Sequence, residues 1–231
     1  MELKIHPIQA NILKILLFEP KARFSKLNVP KITTDHFNFH IKRLVELKLI
    51  EKTDKNSYSL TIDGKEFANR FDTEKIVIER QAKIAVLIIA IRNGKTAKEY
   101  LVQQRLKQPY FGFHGFVTGK ARWGETLIET ACRELKEESG LEAKLVLVGT
   151  KHKMDYSEES KLLEDKFFFV FRADNIKGSL VERFEGGKNL WLTKKEILKL
   201  PDLFDGVEES IKIAEQKKLA FVETKYKVKK Y

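Results

Sequence analysis

The region 119–141 constrains this chain more than any other, because it places three glutamates at an unfavourable end of a short helix. Glu134, Glu137 and Glu138 fall on the last turn and a half of a segment that a glycine then stops. The C-terminal end of a helix carries a partial negative charge, so acidic side chains there are disfavoured. Glu134 and Glu138 are also i,i+4 neighbours of like charge, which repel. A sequence tolerates such crowding most readily if a cation lies among the carboxylates.

The neighbouring apolar residues indicate that these acids border a core. At about 100° per residue the three glutamates span an arc of roughly 100°, and the stripe of Leu127, Ala131 and Leu135 lies directly beside it. Hard divalent cations such as Mg²⁺ or Mn²⁺ take oxygen ligands of this kind while keeping waters and substrate phosphates as partners. The pattern therefore predicts a metal site. The alternative left open is a solvated, glutamate-rich helix end that stops at Gly140.

The full spacing of this region resembles the Nudix box. That motif reads Gly, five residues, Glu, seven residues, Arg-Glu-aliphatic, one residue, Glu-Glu, one residue, Gly-aliphatic. Its defined positions are all filled here, by Gly119, Glu125, Arg133, Glu134, Leu135, Glu137, Glu138, Gly140 and Leu141. The resemblance to a Nudix domain extends over roughly residues 80–215 and does not cover the first 75.

The resemblance implies a metal-dependent hydrolase that acts on a nucleoside diphosphate linked to a further group X. A bound cation would neutralise the diphosphate and lower the pKa of an attacking water. The implied ligands of Mg²⁺ or Mn²⁺ are Gly119, Glu134, Glu137 and Glu138. The implied catalytic set consists of the same three glutamates with Arg133 and Glu125, which orient the ligands through salt bridges and hydrogen bonds.

Two departures from the family pattern lie just ahead of the box and leave the substrate open. Many members have Pro-Gly-Gly-Lys where this chain has Val-Thr-Gly-Lys at 117–120, and a tryptophan common a few residues earlier is His114. ADP-ribose, a dinucleotide, a nucleotide sugar and an oxidised nucleoside triphosphate are all compatible as substrates. The candidates for substrate contact are Arg105, Phe113, His114 and Trp123, although aromatic side chains also fill cores. The candidates for a base outside the box are Glu158, Glu159, Glu164 and Asp165, for which a solvated acidic loop is the competing interpretation.

The remaining pattern predicts an α+β chain of two domains. Strands are predicted at 83–92, 99–105, 143–150, 166–173 and 189–192, and helices from Thr193 and at 205–216. The first strand is a near-continuous apolar run, which indicates burial on both faces. The tail 219–231 alternates enough to be a strand and is otherwise a basic arm. We therefore predict an α/β/α Nudix sandwich with a mixed sheet at residues 76–231.

Residues 1–75 predict a separate unit. Helices are predicted at 8–18, near 22–27, from Thr34 onward and at about 63–71, with a hairpin around the polar turn 53–57. In the third helix Phe37, Ile41, Leu44 and Val45 are predicted to face inward. This order, and the phrases at 43–52 and 58–64, resemble a winged helix-turn-helix domain of bacterial and archaeal transcription regulators.

That resemblance implies that the helix 34–47 recognises double-stranded DNA. The candidates for phosphate or base contact are His36, Asn38, His40, Lys42 and Arg43, with Lys52 and Lys55 on the wing. However, residues 1–75 hold 14 Lys or Arg against 10 Asp or Glu, less positive charge than DNA-binding modules usually concentrate. DNA binding and contact with a partner protein both stay open.

Composition sets the cellular context. Hydrophobic residues at 42% and charged residues at 33% are ordinary for a soluble globular protein, and the longest apolar run, Ile84–Ile91, is too short to span a bilayer. With no basic-then-apolar leader and the single cysteine Cys132 predicted to be buried, we expect a cytoplasmic protein without a membrane partner. The formal charge of +11 fits polyanionic partners. A homodimer is a further expectation.

Three functions remain in competition at this point. The first is a Nudix hydrolase whose winged helix binds DNA. The second is a transcription regulator whose Nudix domain senses a nucleotide-like ligand, and the third is a Nudix enzyme whose winged helix contacts a protein. The intact carboxylate set favours an enzyme, because a sensor could lose Glu137 or Glu138 freely.

Overall fold

The structure is a computed structural model that describes residues 5–28, 32–54, 56–72, 77–78 and 80–231. It divides the chain into two compact units, Met1–Arg80 and Gln81–Tyr231. Lys55, a candidate for DNA contact, lies outside the described residues.

The first unit combines four helices with short strands within the described residues. Its elements are α1 (Pro7–Phe18), β1 (Ala22–Arg23), α2 (Phe24–Leu27), α3 (Thr34–Glu46), β2 (Ile50–Asp54), β3 (Ser57–Leu60), α4 (Ile62–Ala68), β4 (Phe71–Asp72) and β5 (Val77–Ile78). The strands β1, β3 and β2 form an antiparallel sheet in that order. The strands β4 and β5 form a separate antiparallel pair.

Local signals in the sequence explain where the third helix begins and which face it buries. The Thr33 side chain caps α3 by accepting a hydrogen bond from the backbone N–H of His36 at 3.3 Å. Phe37 and Leu44 are fully buried on the inner face. Val45 was wrongly predicted to join them, because it is 41% exposed. It lies about 100° around the helix from Leu44, past the edge of the apolar stripe.

The second unit contains a mixed sheet and three helices within the described residues. Its elements are β6 (Lys83–Asn93), β7 (Lys98–Arg105), β8 (His114–Gly115), β9 (Val117–Lys120), α5 (Leu127–Ser139), β10 (Glu142–Tyr156), β11 (Leu162–Lys177), β12 (Arg183–Phe184), β13 (Gly187–Thr193), α6 (Lys194–Ile197), α7 (Val207–Glu215) and β14 (Ala220–Lys227). The order across the sheet is β12-β13-β7-β6-β11-β10-β14, with β8 paired to β7 and β9 paired to β6. The pairs β6–β11 and β10–β14 are parallel, and the other pairs are antiparallel.

Helices cover both faces of this sheet, and β6 shows why. Its residues Val86, Ile88 and Ala90 pack in one core with Ala131 and Leu135 of α5. The alternate residues of β6, at 85, 87 and 89, pack in a second core with residues of α6 and α7. The predicted burial of β6 on both faces is confirmed, and so is the mixed sheet of an α+β architecture.

Of three predictions about the second unit, one was incomplete, one had left two alternatives open and one was wrong. The strands β10 and β11 are longer than predicted, because their polar ends continue in alternation as a hairpin. The tail is a strand, β14, that pairs with β10 and is not a free arm. Cys132 is exposed and not buried, because it follows Ala131 on α5 and points away from the apolar stripe.

Within the described ranges, no helix combines the length and apolarity that crossing a membrane requires.

Candidate active site

The helix α5 carries the box glutamates, and its own sequence determines both of its ends. Thr126 is the N-cap and forms a reciprocal capping box with Glu129. Gly140 ends the helix in the left-handed region at φ 73°, a conformation that glycine adopts without strain. The predicted glycine stop is therefore confirmed, and the three glutamates lie on its last two turns.

Arg133 connects three acids of the box, Glu125, Glu134 and Glu137, into one ion-pair cluster. Its guanidinium donates to both carboxylate oxygens of Glu125, at 2.7 and 2.8 Å, and to Glu134 Oε1 at 2.6 Å. A longer contact of 3.3 Å joins it to Glu137. The Arg133 guanidinium lowers the pKa of Glu125 to about 2, so this acid is ionised at any physiological pH. Bidentate pairing fixes the orientation of both partners.

Gly119 makes room for Glu134. A Cβ atom built on Gly119 would overlap the Glu134 carboxylate, so any larger residue on β9 would push that carboxylate away. Its backbone conformation is not of the left-handed kind that requires glycine. The need for glycine here is therefore one of close approach.

Glu138 differs from the other box acids because burial raises its pKa. Burial, and after it the nearby charge of Glu134, raise the pKa of Glu138 to about 6, while Gln103, Lys107 and Arg105 act in the opposite direction. A carboxylate with a raised pKa has too little compensating positive charge around it. Glu137, in contrast, keeps 51% of its side chain exposed and lies 3.7 Å from Arg122.

A cleft of about 640 Å³ opens beside the box. Gly119, Glu134 and Glu138 line it. Its basic lining consists of Lys83, Arg105, Lys107, Lys120, Arg122, Lys151, Lys153 and Lys166, and its other acids are Asp155, Glu164 and Asp205. Eight basic side chains thus face five acidic ones, which favours an anionic ligand.

The donor set of this cleft fits a hard divalent cation, although the side chains do not yet converge on one. Among the described residues, no group of three or more His, Cys, Asp or Glu is arranged to hold a metal ion, since Glu134 and Glu137 are turned towards Arg133. Glu134 and Glu138 nevertheless share the cleft. The uncompensated charge of Glu138 and the space at Gly119 suit oxygen ligation of Mg²⁺ or Mn²⁺.

Of the four residues that the sequence suggested for substrate contact, Arg105 lines the cleft. Its guanidinium donates to the backbone oxygens of Pro109 and Gln108, at 2.5 and 3.1 Å. The other three are not among the lining side chains. Phe113 packs against the rings of Tyr110 and Phe204.

The other two candidates for substrate contact, His114 and Trp123, have opposite environments. His114 is 6% exposed and its Nδ1 lies 3.0 Å from the backbone oxygen of Pro201, which indicates a structural position. Trp123 is 91% exposed and stands in the loop between β9 and α5.

The four candidate bases also differ in whether they line the cleft. Glu158 and Glu159 are exposed at the turn between β10 and β11. The Oδ1 atom of Asp165 lies 2.8 Å from His152 Nε2, and Asp165 does not line the cleft. Glu164 lines the cleft, and although burial acts to raise its pKa, Lys83 and Lys166 hold that pKa below its usual value. Sequence reasoning expected all four in a loop, but Glu164 and Asp165 lie within β11.

The basic wall of the cleft was missed by sequence reasoning. Lys151, Lys153 and Asp155 alternate along β10, and Glu164 and Lys166 alternate along β11. Period-two alternation of charged residues places them on one face of a sheet. That alternation is the signal that would have identified them.

The candidates for DNA contact lie in the first unit, and one of them is inaccessible. His36, Lys42 and Arg43 are exposed on α3, Asn38 is half-buried, and Lys52 is exposed on β2. His40 is 3% exposed and its Nε2 lies 3.1 Å from that of His36. Its burial removes it from any direct contact with a duplex.

Comparison with known proteins places this geometry in a family. Residues 81–212 match the NUDIX domain family, which is more than half of the chain. The chain therefore belongs to that family, and its second unit is a domain of the Nudix hydrolase type.

Individual relatives are similar over part of their length. An oxidized purine nucleoside triphosphate hydrolase of Danio rerio is 33% identical over 112 residues, 45% of this chain and 62% of that protein. An octanoyltransferase of Myxococcus xanthus is 29% identical over 154 residues, 64% of this chain and 41% of that protein. The chain thus spans less than two thirds of either curated relative.

Solved structures show the same fold at low identity. The NUDIX domain of Shewanella oneidensis NrtR, in complex with ADP ribose, has a TM-score of 0.53 and 16% identity over 67% of this chain and 97% of that one. A MutT protein of Bacillus halodurans has a TM-score of 0.50 and 23% identity over 63% of this chain and 90% of that one.

Proposed function

We propose that this chain is a divalent-metal-dependent Nudix hydrolase that cleaves the diphosphate linkage of a nucleoside diphosphate joined to a group X. The observation that carries the proposal is the pairing of Glu134 and Glu138 in one basic cleft, with Gly119 leaving space for the first and Arg133 holding it. Family membership supports the reaction class. The ADP ribose bound to the related NrtR domain supports a nucleotide-type ligand.

The residues of the cleft have separable tasks in this proposal. Glu134 and Glu138, with Gly119 and the more exposed Glu137, would hold Mg²⁺ or Mn²⁺. When bound, the cation supplies charge neutralisation on the diphosphate and a water of lowered pKa. Arg133 orients Glu134.

The basic side chains on the wall of the cleft would bind the phosphate oxygens. Arg105, Lys107, Lys120 and Arg122 all line it near the box acids. Fixed cations aimed at developing negative charge on phosphate oxygens stabilise the transition state of phosphoryl transfer. Arg105 is partly buried, so its interaction with an anion is screened less by water than those of the exposed Lys107, Lys120 and Arg122.

A hydrolysis panel tests the proposal directly. ADP-ribose, a dinucleotide, a nucleotide sugar and an oxidised nucleoside triphosphate are each incubated with Mg²⁺ or Mn²⁺, and phosphate-containing products are quantified. Glu134→Gln and Glu138→Gln should abolish turnover, whereas Glu142→Gln, at an exposed glutamate that does not line the cleft, should leave it unchanged. Turnover that survives in the first two variants, or persists in excess EDTA, would reject the assignment.

We further propose that residues 1–75 form a winged helix-turn-helix module that binds double-stranded DNA, followed by the Nudix domain at 76–231. The support is the element order α1, β1, α2, α3, β2, β3 with the sheet order β1-β3-β2. Lys42 and Arg43 on α3 and Lys52 on β2 are the exposed basic candidates. The competing use, contact with a protein partner, is favoured by Phe39 on the same helix, which is 62% exposed.

A regulator that senses a nucleotide-like ligand is the second candidate function. The observation that favours it is the combination of this N-terminal unit with a domain whose fold, in NrtR, holds ADP ribose. A regulator changes its DNA affinity when the ligand binds, by thermodynamic linkage. Duplex affinity measured with and without ADP-ribose, in the Glu138→Gln variant to prevent turnover, separates the two functions: an unchanged affinity favours the enzyme.

A further inference from the structure

Three lysines lie side by side across the wall of the cleft. In the strand register, Lys153 of β10 is opposite Lys166 of β11, and Lys166 is opposite Lys83 of β6. All three line the cleft. Like charges directly opposite one another destabilise a sheet. A row of three ammonium groups therefore needs anions nearby.

The protein supplies part of that compensation from the adjacent row. Asp155 and Glu164 are both two residues away from a lysine on the same strand, and Asp155 pairs with Lys153. Glu164 is shared, since its Oε2 lies 2.7 Å from Lys83 Nζ and 3.3 Å from Lys166 Nζ. Three ammonium groups are thus in ion pairs with two carboxylates.

Tyrosine hydroxyls donate to the second oxygen of each of these carboxylates and add no negative charge to the row. Asp155 also accepts a hydrogen bond from the hydroxyl of Tyr110 at 2.8 Å, and Glu164 accepts one from the hydroxyl of Tyr231 at 3.1 Å. The other acid in this part of the cleft is Asp205, whose pKa is raised by burial. Among the described residues Asp205 forms no ion pair with the three lysines, so the paired carboxylates of the row remain Asp155 and Glu164.

The surplus charge is accessible at two of the three lysines. The side chains of Lys83 and Lys166 keep 38% and 26% of their surface exposed, against 11% for Lys153. Burial lowers the pKa of Lys166 despite its contact with Glu164, so its charged form would gain from another anion. A fourth lysine, Lys151, is fully buried and bonded to Glu209 at 2.7 Å.

The lysine row lies within reach of the box. Lys83 is two residues before Ala85 on β6, and Ala85 is opposite Lys120, the residue after Gly119. With a rise of about 3.3 Å per residue and a strand spacing of about 4.8 Å, the Cα atoms of Lys83 and Lys120 are separated by about 8 Å. One small ligand can therefore touch both places.

We propose that Lys83 and Lys166 bind a second anionic group of the substrate, so that the preferred X or its nucleoside carries a phosphate monoester besides the diphosphate that is cleaved. This inference rests on the proposed hydrolase function for its placement of the diphosphate. A neutral base or sugar at the row would leave the surplus ammonium charge of the cleft uncompensated. A phosphate dianion compensates it and accepts hydrogen bonds from both lysines.

Two matched pairs of compounds test the proposal, because the members of each pair differ by one phosphate monoester. The pairs are coenzyme A with dephospho-coenzyme A, and NADPH with NADH. We expect kcat/KM with Mg²⁺ to be at least about tenfold higher for the phosphorylated member of at least one pair, because hydrogen bonds to charged groups contribute more than those between neutral groups. The difference should appear in KM and shrink as salt is raised. Equal values within both pairs would overturn it.

Variants locate the effect at the row. Lys83→Met and Lys166→Met keep side-chain length but remove the charge, and each should reduce the preference several-fold, whereas Lys166→Arg should retain it. Lys161→Met, at the exposed turn between β10 and β11, is the matched control and should change nothing. Thermal melting confirms that each variant is folded. A preference that survives both methionine variants would contradict the assignment.

Binding calorimetry in Ca²⁺ separates failure of this inference from failure of the proposed function. If no pair is hydrolysed but the phosphorylated member still binds more tightly in a Lys166-dependent way, the hydrolase proposal fails and the anion site stands. If both members are hydrolysed and bound equally, the hydrolase proposal stands and the anion site is rejected. Absence of binding by every compound also rejects the anion site.

Discussion

Among single residues, Glu138 is placed under two opposing demands. Burial in the cleft disfavours its negative charge and raises its pKa to about 6, while the metal ligation that we propose for it needs that charge. Residues whose environment opposes their functional form are frequent at active sites and reduce the stability of the unliganded protein. Glu138 should therefore reduce stability in the absence of metal and be required for activity in its presence.

The stability of the metal-free protein should report this conflict. The pKa of Glu138 is higher in the folded state than its ordinary value of 4.5, so folding favours the protonated form. The ionisation of Glu138 does not affect the unfolding free energy below about pH 4.5. It lowers the unfolding free energy increasingly as the pH rises to about 6, and the loss persists at higher pH. In EDTA at pH 8, Glu138→Gln should raise the unfolding free energy by at most about 2 kcal/mol. The measurement is denaturant unfolding of both proteins at pH 4 and pH 8.

The control for this experiment is Glu158→Gln, which lies outside the cleft. The wild type and Glu138→Gln should have equal stability at pH 4. A variant that is less stable than wild type at pH 8 without metal would show that Glu138 is stabilised by its surroundings, contrary to its raised pKa.

Gly119 permits a second test, of steric origin. Gly119→Ala should displace the Glu134 carboxylate, because the new Cβ overlaps it. Misplacing a catalytic group by about 1 Å can reduce the rate about a hundredfold, so kcat/KM should fall by that order. A double-mutant cycle with Glu134→Ala assigns the cause. In the Glu134→Ala background the new Cβ has no carboxylate to overlap, so Gly119→Ala should change the unfolding free energy little. If it lowers the unfolding free energy as much as in the wild-type background, the strain lies elsewhere.

At the level of secondary structure, the helix α5 is set by its own caps as well as by its packing. The hydroxyl of Thr126 accepts a hydrogen bond from the Glu129 N–H at 3.3 Å, while the Glu129 carboxylate accepts one from the Thr126 N–H at 2.8 Å. Thr126→Ala should lower the unfolding free energy by about 1 kcal/mol. Hydrolysis at 25 °C should persist, because buried Ala131 and Leu135 still anchor the helix.

Urea unfolding measures the change in unfolding free energy. The slope of that free energy against urea concentration should be unchanged if only stability is altered. Thr126→Ser retains the hydroxyl and serves as the control, so it should stay within a few tenths of a kcal/mol of wild type. A loss of activity without loss of stability in Thr126→Ala would mean that the cap acts on the site and not on the helix.

Some of the secondary-structure elements were predictable from local sequence and others were not. The positions of β6, α5 and α3 follow from apolar periodicity and capping residues, which act locally. The charged ends of β10 and β11 were not recognised as strands, because Lys, Asp and Glu are rarely buried unless paired. Their partners, such as Lys83 for Glu164, lie on other strands. The local alternation of charges marks these segments as strands, but no local pattern identifies their partners.

Across the chain as a whole, net positive charge is shared by two units that have different anionic ligands in our proposals. The cleft of the second unit collects basic side chains on a sheet face, whereas the first unit presents a few on α3 and β2. A charge change in one unit should therefore affect one ligand and leave the other alone. That independence can be measured.

The double variant Lys42→Ala/Arg43→Ala should weaken duplex binding without changing hydrolysis. Each phosphate contact contributes close to 0.9 to the slope of log K against log salt, so the slope should become shallower by about 2. Arg43 is also paired with Glu46 at 3.1 Å, so a smaller change would assign the contact to Lys42.

The charge-matched control is Lys217→Ala/Lys218→Ala, in the second unit. Equal weakening by both would indicate a net-charge effect only. Absence of duplex binding by the wild type would favour protein contact, with Phe39→Ala as the variant that should then release the partner.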